Sequence, residues 1–142
     1  MQDYIMLEKE WEDSDCFGIQ MTAHCSDIIT AKTRATISDE MVDDLSQKLH
    51  EFICGNTREI LWETDARGDE TVACLSLKFM HKDKVGHILV EVYMELEDGG
   101  KYSEHNCCFY VETALGLLEK FCERLPLLKT PGLDIEIVLN EA

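Results

Sequence analysis

Metal binding and thiol chemistry are the first possibilities the side chains raise. The chain carries seven cysteines and five histidines, with His105, Cys107 and Cys108 close together and His24 beside Cys25 elsewhere. Zinc takes thiolate and imidazole ligands, but the Cys-x-x-Cys spacing that turns two thiolates toward one ion does not occur. Cys107 and Cys108 are consecutive residues of an alternating stretch, so their side chains point to opposite faces. They read as small buried hydrophobes, and neither a metal nor a cofactor is expected. A small-ligand or metal-binding enzyme using His105 and the nearby cysteines is kept as the alternative.

The remaining catalytic patterns are weaker. A cysteine nucleophile needs a neighbouring histidine and an electropositive setting, and nothing places Cys74 or Cys122 in one. Gly99-Gly100-Lys101 resembles the end of a phosphate loop but lacks the following Ser or Thr and the strand-to-helix context. With 29 Asp and Glu residues, some pair of carboxylates always looks like a glycosidase acid and base, and sequence spacing does not set their separation. No catalytic residue is assigned, and the chain is read as not an enzyme.

The elements that must position any site follow from periodicity. Ile5, Leu7 and Trp11 fall on one side of a first strand, and Phe17, Ile19, Met21 and Ala23 on one side of a second. Ile29, Ala31, Thr33, Ala35 and Ile37 line a third, with Ser26 and Asp27 at a turn, so the three form an antiparallel meander. Ser38 is a suitable N-cap, and Asp39, Glu40, Asp43 and Asp44 favour a helix start there. Met41, Val42, Leu45, Leu49, Phe52 and Ile53 give that helix one apolar face, and Gly55 supplies its left-handed stop.

A short strand around Ile60 to Trp62 leads to a polar loop, Asp65 to Glu70. Leu75, Leu77 and Phe79 then alternate with Ser76, Lys78 and Met80, and Ile88, Val90, Val92, Met94 and Leu96 alternate with Leu89, Glu91, Tyr93, Glu95 and Glu97. Asp98-Gly99-Gly100-Lys101 signals a hairpin. A second helix is expected from about Glu112 to Leu125, burying Ala114, Leu117, Leu118, Phe121 and Leu125, and Leu133 to Leu139 reads as a final strand. The sum is one α+β domain over residues 1–142: a mainly antiparallel sheet of six to seven strands packed with two amphipathic helices.

If Gly99 and Gly100 are the two loop residues, Val90 pairs with Phe109, Val92 with Cys107 and Met94 with His105. The outward face of the hairpin then collects Glu91, Tyr93, Glu95, Glu97, Tyr102, Glu104, Asn106 and Tyr110, with Glu95 directly opposite Glu104. Like charges so placed destabilise a sheet, a cost that folding alone would not select. Tyrosines are interface anchors, and carboxylates around them suit a basic partner.

Total charge points the same way. The formal net charge of −16 disfavours nucleic acid and anionic membrane surfaces and steers basic proteins, although it also serves plain solubility. Met1 to Asp15 carries six acidic residues and one Lys, which is not the pattern of a signal peptide, and no apolar run is long enough to span a membrane. A cytoplasmic protein with reduced cysteines is expected.

In its order of elements the chain resembles the WapI-like bacterial immunity proteins, which protect a cell against its own contact-dependent or polymorphic toxins. The likeness is one of pattern. It runs through Phe17-Gly18-Ile19, the helix start Ile37-Ser38-Asp39-Glu40, the Leu45 to Phe52 face, Ala73 to Phe79, Ile88 to Leu96 and the helix Ala114 to Leu125. The resemblance implies a non-enzymatic inhibitor that covers the surface of a toxin domain, many of which are basic. A homo-oligomeric structural protein joined through a sheet edge is the third reading.

Overall fold

The computed structural model describes residues 2–68, 72–96 and 105–140. They form an α+β fold of eight strands and two helices. Strands β1 (Tyr4–Glu12), β2 (Phe17–Cys25) and β3 (Ile29–Ile37) make the expected meander, and β8 (Glu136–Leu139) joins it by pairing with β1. Strands β4 (Glu59–Glu63), β5 (Leu75–His81), β6 (His87–Glu95) and β7 (Asn106–Ala114) form a second antiparallel sheet in that order. The described residues thus form two four-stranded sheets, with one strand more than the upper end of the sequence expectation.

Helix α1 (Asp39–Ile53) begins where the sequence places it. Ser38 is extended, and its Oγ accepts the Met41 N–H at 3.4 Å. Val42, Leu45, Leu49 and Phe52 are buried on one face. Gly55, at φ 82°, takes the left-handed conformation that ends the helix.

The second helix starts later than its pattern suggests. Glu112, Thr113 and Ala114 still pair with Leu89, Ile88 and His87, so β7 continues to Ala114. Helix α2 (Leu115–Arg124) follows, and a 3-10 turn, Leu125–Lys129, succeeds it. Ala114, Leu117 and Leu118 fit a helical period, but ladder bonds to β6 hold residues 112–114 extended.

A slip in β1 corrects the placement of Trp11. Lys9 pairs with Ile19 and Trp11 with Gly18, which leaves Glu10 as the extra residue of a bulge. Lys9 therefore takes the inward position after Ile5 and Leu7, and Trp11 emerges 42% exposed. Its indole lies across Gly18, where a Cβ would sit 2.0 Å from Trp11 Nε1, so only glycine fits beneath it. The inward Lys9 is fully engaged: its Nζ donates to Thr130 O at 2.9 Å and to Glu12 at 2.7 Å, and lies 4.8 Å from the Phe17 ring centroid.

One apolar core joins both sheets and both helices. It runs from Ile5, Ile19, Met21 and Ile137 through Leu45, Phe52 and Phe121 to Leu77, Phe79, Val90, Val92 and Val111. Burying each of these side chains contributes about 1.5–3 kcal/mol. Polar latches connect the sheets at their margins. Thr33 Oγ1 donates to Glu95 O at 2.8 Å, and Cys25 Sγ to Tyr110 O at 2.9 Å. Asn140 Nδ2 donates to Asp3 O at 2.7 Å and Glu112 O at 2.9 Å, while Thr113 Oγ1 donates to Asn140 Oδ1 at 2.5 Å.

Candidate functional site

The outer face of the β4–β7 sheet is set by its register. Glu63, Ser76, Tyr93 and Cys108 form one cross-strand row. Leu61, Lys78, Glu91 and Tyr110 form the next, and Glu59, Met80, Leu89 and Glu112 a third. Both helices pack on the opposite side: Trp62, whose side chain points inward, donates from Nε1 to Met41 O of α1 at 3.0 Å.

The pairing differs from the sequence expectation by two residues. Val90 faces Val111, Val92 faces Phe109 and Met94 faces Cys107. An even shift preserves which side chains point inward. It does change the partners: Glu91 lies opposite Tyr110, and Glu95 lies opposite Asn106 rather than Glu104. Glu97, Tyr102 and Glu104 lie outside the described residues.

Glu95 is the largest correction. It belongs to the outward-pointing set, yet it is 0% exposed. The segment after β4 folds over this end of the sheet and brings donors to the carboxylate. Oε1 accepts the Cys74 N–H at 2.9 Å, and Oε2 accepts the Gly68 N–H at 3.0 Å and the Tyr93 hydroxyl at 2.8 Å. Burial alone would raise the Glu95 pKa, but these three hydrogen bonds and the charge of Arg67 outweigh it and hold the group below the ordinary carboxylate value. Glu95 is an anchor for the chain rather than part of an exposed acidic patch.

Arg67 closes the same corner. Its guanidinium stacks 4.0 Å from the Tyr93 ring centroid, with Nε 3.2 Å from Glu63 Oε2 and Nη2 3.2 Å from Ser76 Oγ and 3.5 Å from Glu91 Oε1. Tyr93 is consequently half-covered, and burial followed by its bond to Glu95 pushes its hydroxyl up to about 12. Tyr110 is 45% exposed and donates to Glu91 Oε2 at 3.2 Å. Asn106 is exposed at the start of β7. Of the residues expected on this face, Glu91 and Tyr93 are therefore half-buried and Asn106 and Tyr110 exposed, with Leu61, 43% exposed, beside them.

Sequence reasoning missed Arg67, Gly68 and Cys74, because it read 65–70 as an exposed loop. Two apolar residues just before β5, Ala73 and Cys74, are the available sign that the chain is buried there.

The thiols near this face are held protonated. Burial pushes Cys74 up to about 11, with the charges of Glu63 and Glu95 adding to it, and its Sγ donates to Asp65 O at 3.0 Å. Cys108 is exposed and also raised, by burial and then by Glu91. Such thiols are poor sources of thiolate at neutral pH. Cys107 turns toward the core and His105 is exposed. Among the described residues, no group of three or more His, Cys, Asp or Glu side chains is arranged to hold a metal ion.

A second, acidic concavity of about 290 Å³ lies at the start of α1, where Glu12, Asp13, Asp15 and Asp39 surround Lys9 and Lys129. Most of its charges are spent on local structure. Glu12 binds Lys9 and the Gly132 N–H, and Asp13 Oδ1 accepts the Asp15 and Cys16 N–H groups. Lys129 Nζ lies 2.6 Å from Asp43.

No family model, curated protein or solved structure matches the chain. No helix among the described residues is long and apolar enough to cross a membrane.

Proposed function

We propose that this chain is a non-enzymatic, cytoplasmic protein-binding module for a basic partner, and that it neutralises a toxin domain as the WapI-like immunity proteins do. The observation that carries the reading is the outer face of the β4–β7 sheet. No helix among the described residues covers it, and it exposes Leu61 and Tyr110 among Glu59, Glu63, Glu91 and Glu112.

These four carboxylates already have cations: Lys78 faces Glu59, Arg67 faces Glu63 and Glu91, and Lys82 faces Glu112. Exposed pairs of this kind are weak, about 0–1 kcal/mol each, so a basic partner can exchange for them at little cost. The excess of 29 acidic over 13 basic residues supplies long-range attraction, while Leu61 and Tyr110 supply the short-range apolar contact that holds a complex.

Capture from a lysate of the source organism tests the proposal, using the wild-type chain beside a Leu61→Asp/Tyr110→Ala variant whose thermal midpoint is unchanged. A basic protein should be retained by the wild type at low salt, released at high salt, and bound at least about tenfold more weakly by the variant. Expressed alone, that protein should arrest growth, and co-expression of the wild-type chain should restore it. Equal retention by both chains would reject this face, and a captured partner without growth inhibition would reject the immunity role.

A further inference from the structure

A concavity of about 690 Å³ opens at the end of the second sheet, lined by Arg58, His81, Asp83, Lys84, Gly86 and Leu115. Its volume falls within the usual range for small-ligand sites. Its charge runs against the rest of the molecule. Arg58 and Lys84 are exposed, and among the described residues neither has a carboxylate partner. Two cations sharing one cavity with no carboxylate partner among the described residues is unusual on a chain of net charge −16, where carboxylates are abundant enough to neutralise them.

The carboxylates nearby are already committed. Asp83 Oδ1 accepts the Val85 N–H at 2.8 Å and the His87 N–H at 3.2 Å, and its Oδ2 lies 2.5 Å from His87 Nδ1. Glu112 is occupied by Lys82, and no acidic residue stands in the first turn of α2. His81 stacks on the buried Phe52 ring, with centroids 4.3 Å apart and planes 17° apart, which fixes its imidazole at the cavity wall. Gly86 and Leu115 make an apolar part of the wall, held together by the Leu115 N–H to Gly86 O bond at 2.9 Å.

We propose that this cavity binds a small organic phosphate monoester, its dianion between Arg58 and Lys84 and its apolar body against Leu115 and His81. A phosphate carries about −1.5 to −2 charges at neutral pH, which two cations match. Within a Debye length of about 8 Å these two cations outnumber the one lining carboxylate, Asp83, whose oxygens are turned to Val85 and His87, and so set the potential that a bound anion meets. None of the lining residues belongs to the outer-face rows, so this site and the partner-binding face fail or stand independently.

Phenyl phosphate, inorganic phosphate and phenol serve as probes in an amide-resolved NMR titration of the whole chain. Phenyl phosphate should shift the Gly86 and Leu115 amides saturably, bind more tightly than inorganic phosphate, and bind where phenol does not. Arg58→Gln/Lys84→Gln, with both substitutions on exposed side chains and an unchanged thermal midpoint, should weaken it by at least about tenfold. The proposal is overturned if those amides do not respond, if the double variant binds equally well, or if inorganic phosphate or phenol matches phenyl phosphate.

Discussion

At the scale of single residues, Glu95 shows how far a side chain's role depends on what folds over it. Alternation along β6 placed it with Glu91 and Tyr93 on the outward side, and the backbone does put it there. Burial comes from residues on either side of 69–71, where the Gly68 and Cys74 N–H groups turn onto the carboxylate, and no periodic signal encodes such an approach. Glu95→Gln keeps the shape but presents an NH₂ group to one of these N–H donors. It should destabilise the fold by about 1–3 kcal/mol, whereas Tyr93→Phe, which removes one donor of three, should cost about 1.5 kcal/mol. The effect has a definite pH dependence. Because the folded pKa of Glu95 lies below its ordinary value of 4.5, its stabilisation is fully present above that value and is lost as pH falls through the folded pKa. Urea unfolding at pH 7 and at acid pH should therefore show the wild-type advantage over Glu95→Gln shrinking at acid pH. An advantage independent of pH would show that the carboxylate's charge is not what these donors recognise.

At the scale of elements, local signals were read more successfully than distant pairings. Ser38 and the Leu45–Phe52 stripe define α1 within a few residues of sequence, as do the alternations of β2, β5 and β6. The β6–β7 pairing was read two residues out of register with its faces correct, because period-two alternation is blind to an even shift. The division into two sheets was not legible at all. It depends on β8 crossing the length of the chain to pair Leu139 with Ile5, and on polar latches whose partners are remote in sequence. Asn140 is the densest of these latches. It adopts φ 77°, which asparagine tolerates better than most residues, and ties Asp3 O, Glu112 O and Thr113 together. Asn140→Ala should lower stability by about 2–4 kcal/mol through lost hydrogen bonds and backbone strain. Asn140→Gly relieves the strain alone and should recover about 1 kcal/mol of that loss. Urea midpoints of the two variants separate the terms, and equal midpoints would mean that the conformation carries no cost.

At the scale of the whole molecule, the sign of the charge was plain from composition, but its distribution was not. Arg58, His81 and Lys84 come from three turns and strand ends that only the fold brings to one cavity, while the carboxylates spread over the remaining surface. Net repulsion among them opposes compaction, and screening relieves it. Added salt also weakens exposed ion pairs such as Arg34 with Glu10 and Lys129 with Asp43, but each of these contributes only about 0–1 kcal/mol. Repulsion scales with the square of the net charge, so at −16 it should outweigh the lost pairs. The thermal midpoint should therefore rise as sodium chloride is added at neutral pH, in steps corresponding to about 1 kcal/mol between low and physiological ionic strength. The same salt should weaken capture of a basic partner, so stability and binding respond in opposite directions. A midpoint that falls with salt would mean that the ion pairs dominate the electrostatics of the fold, and that the acidic excess is dispersed too widely to act as one field.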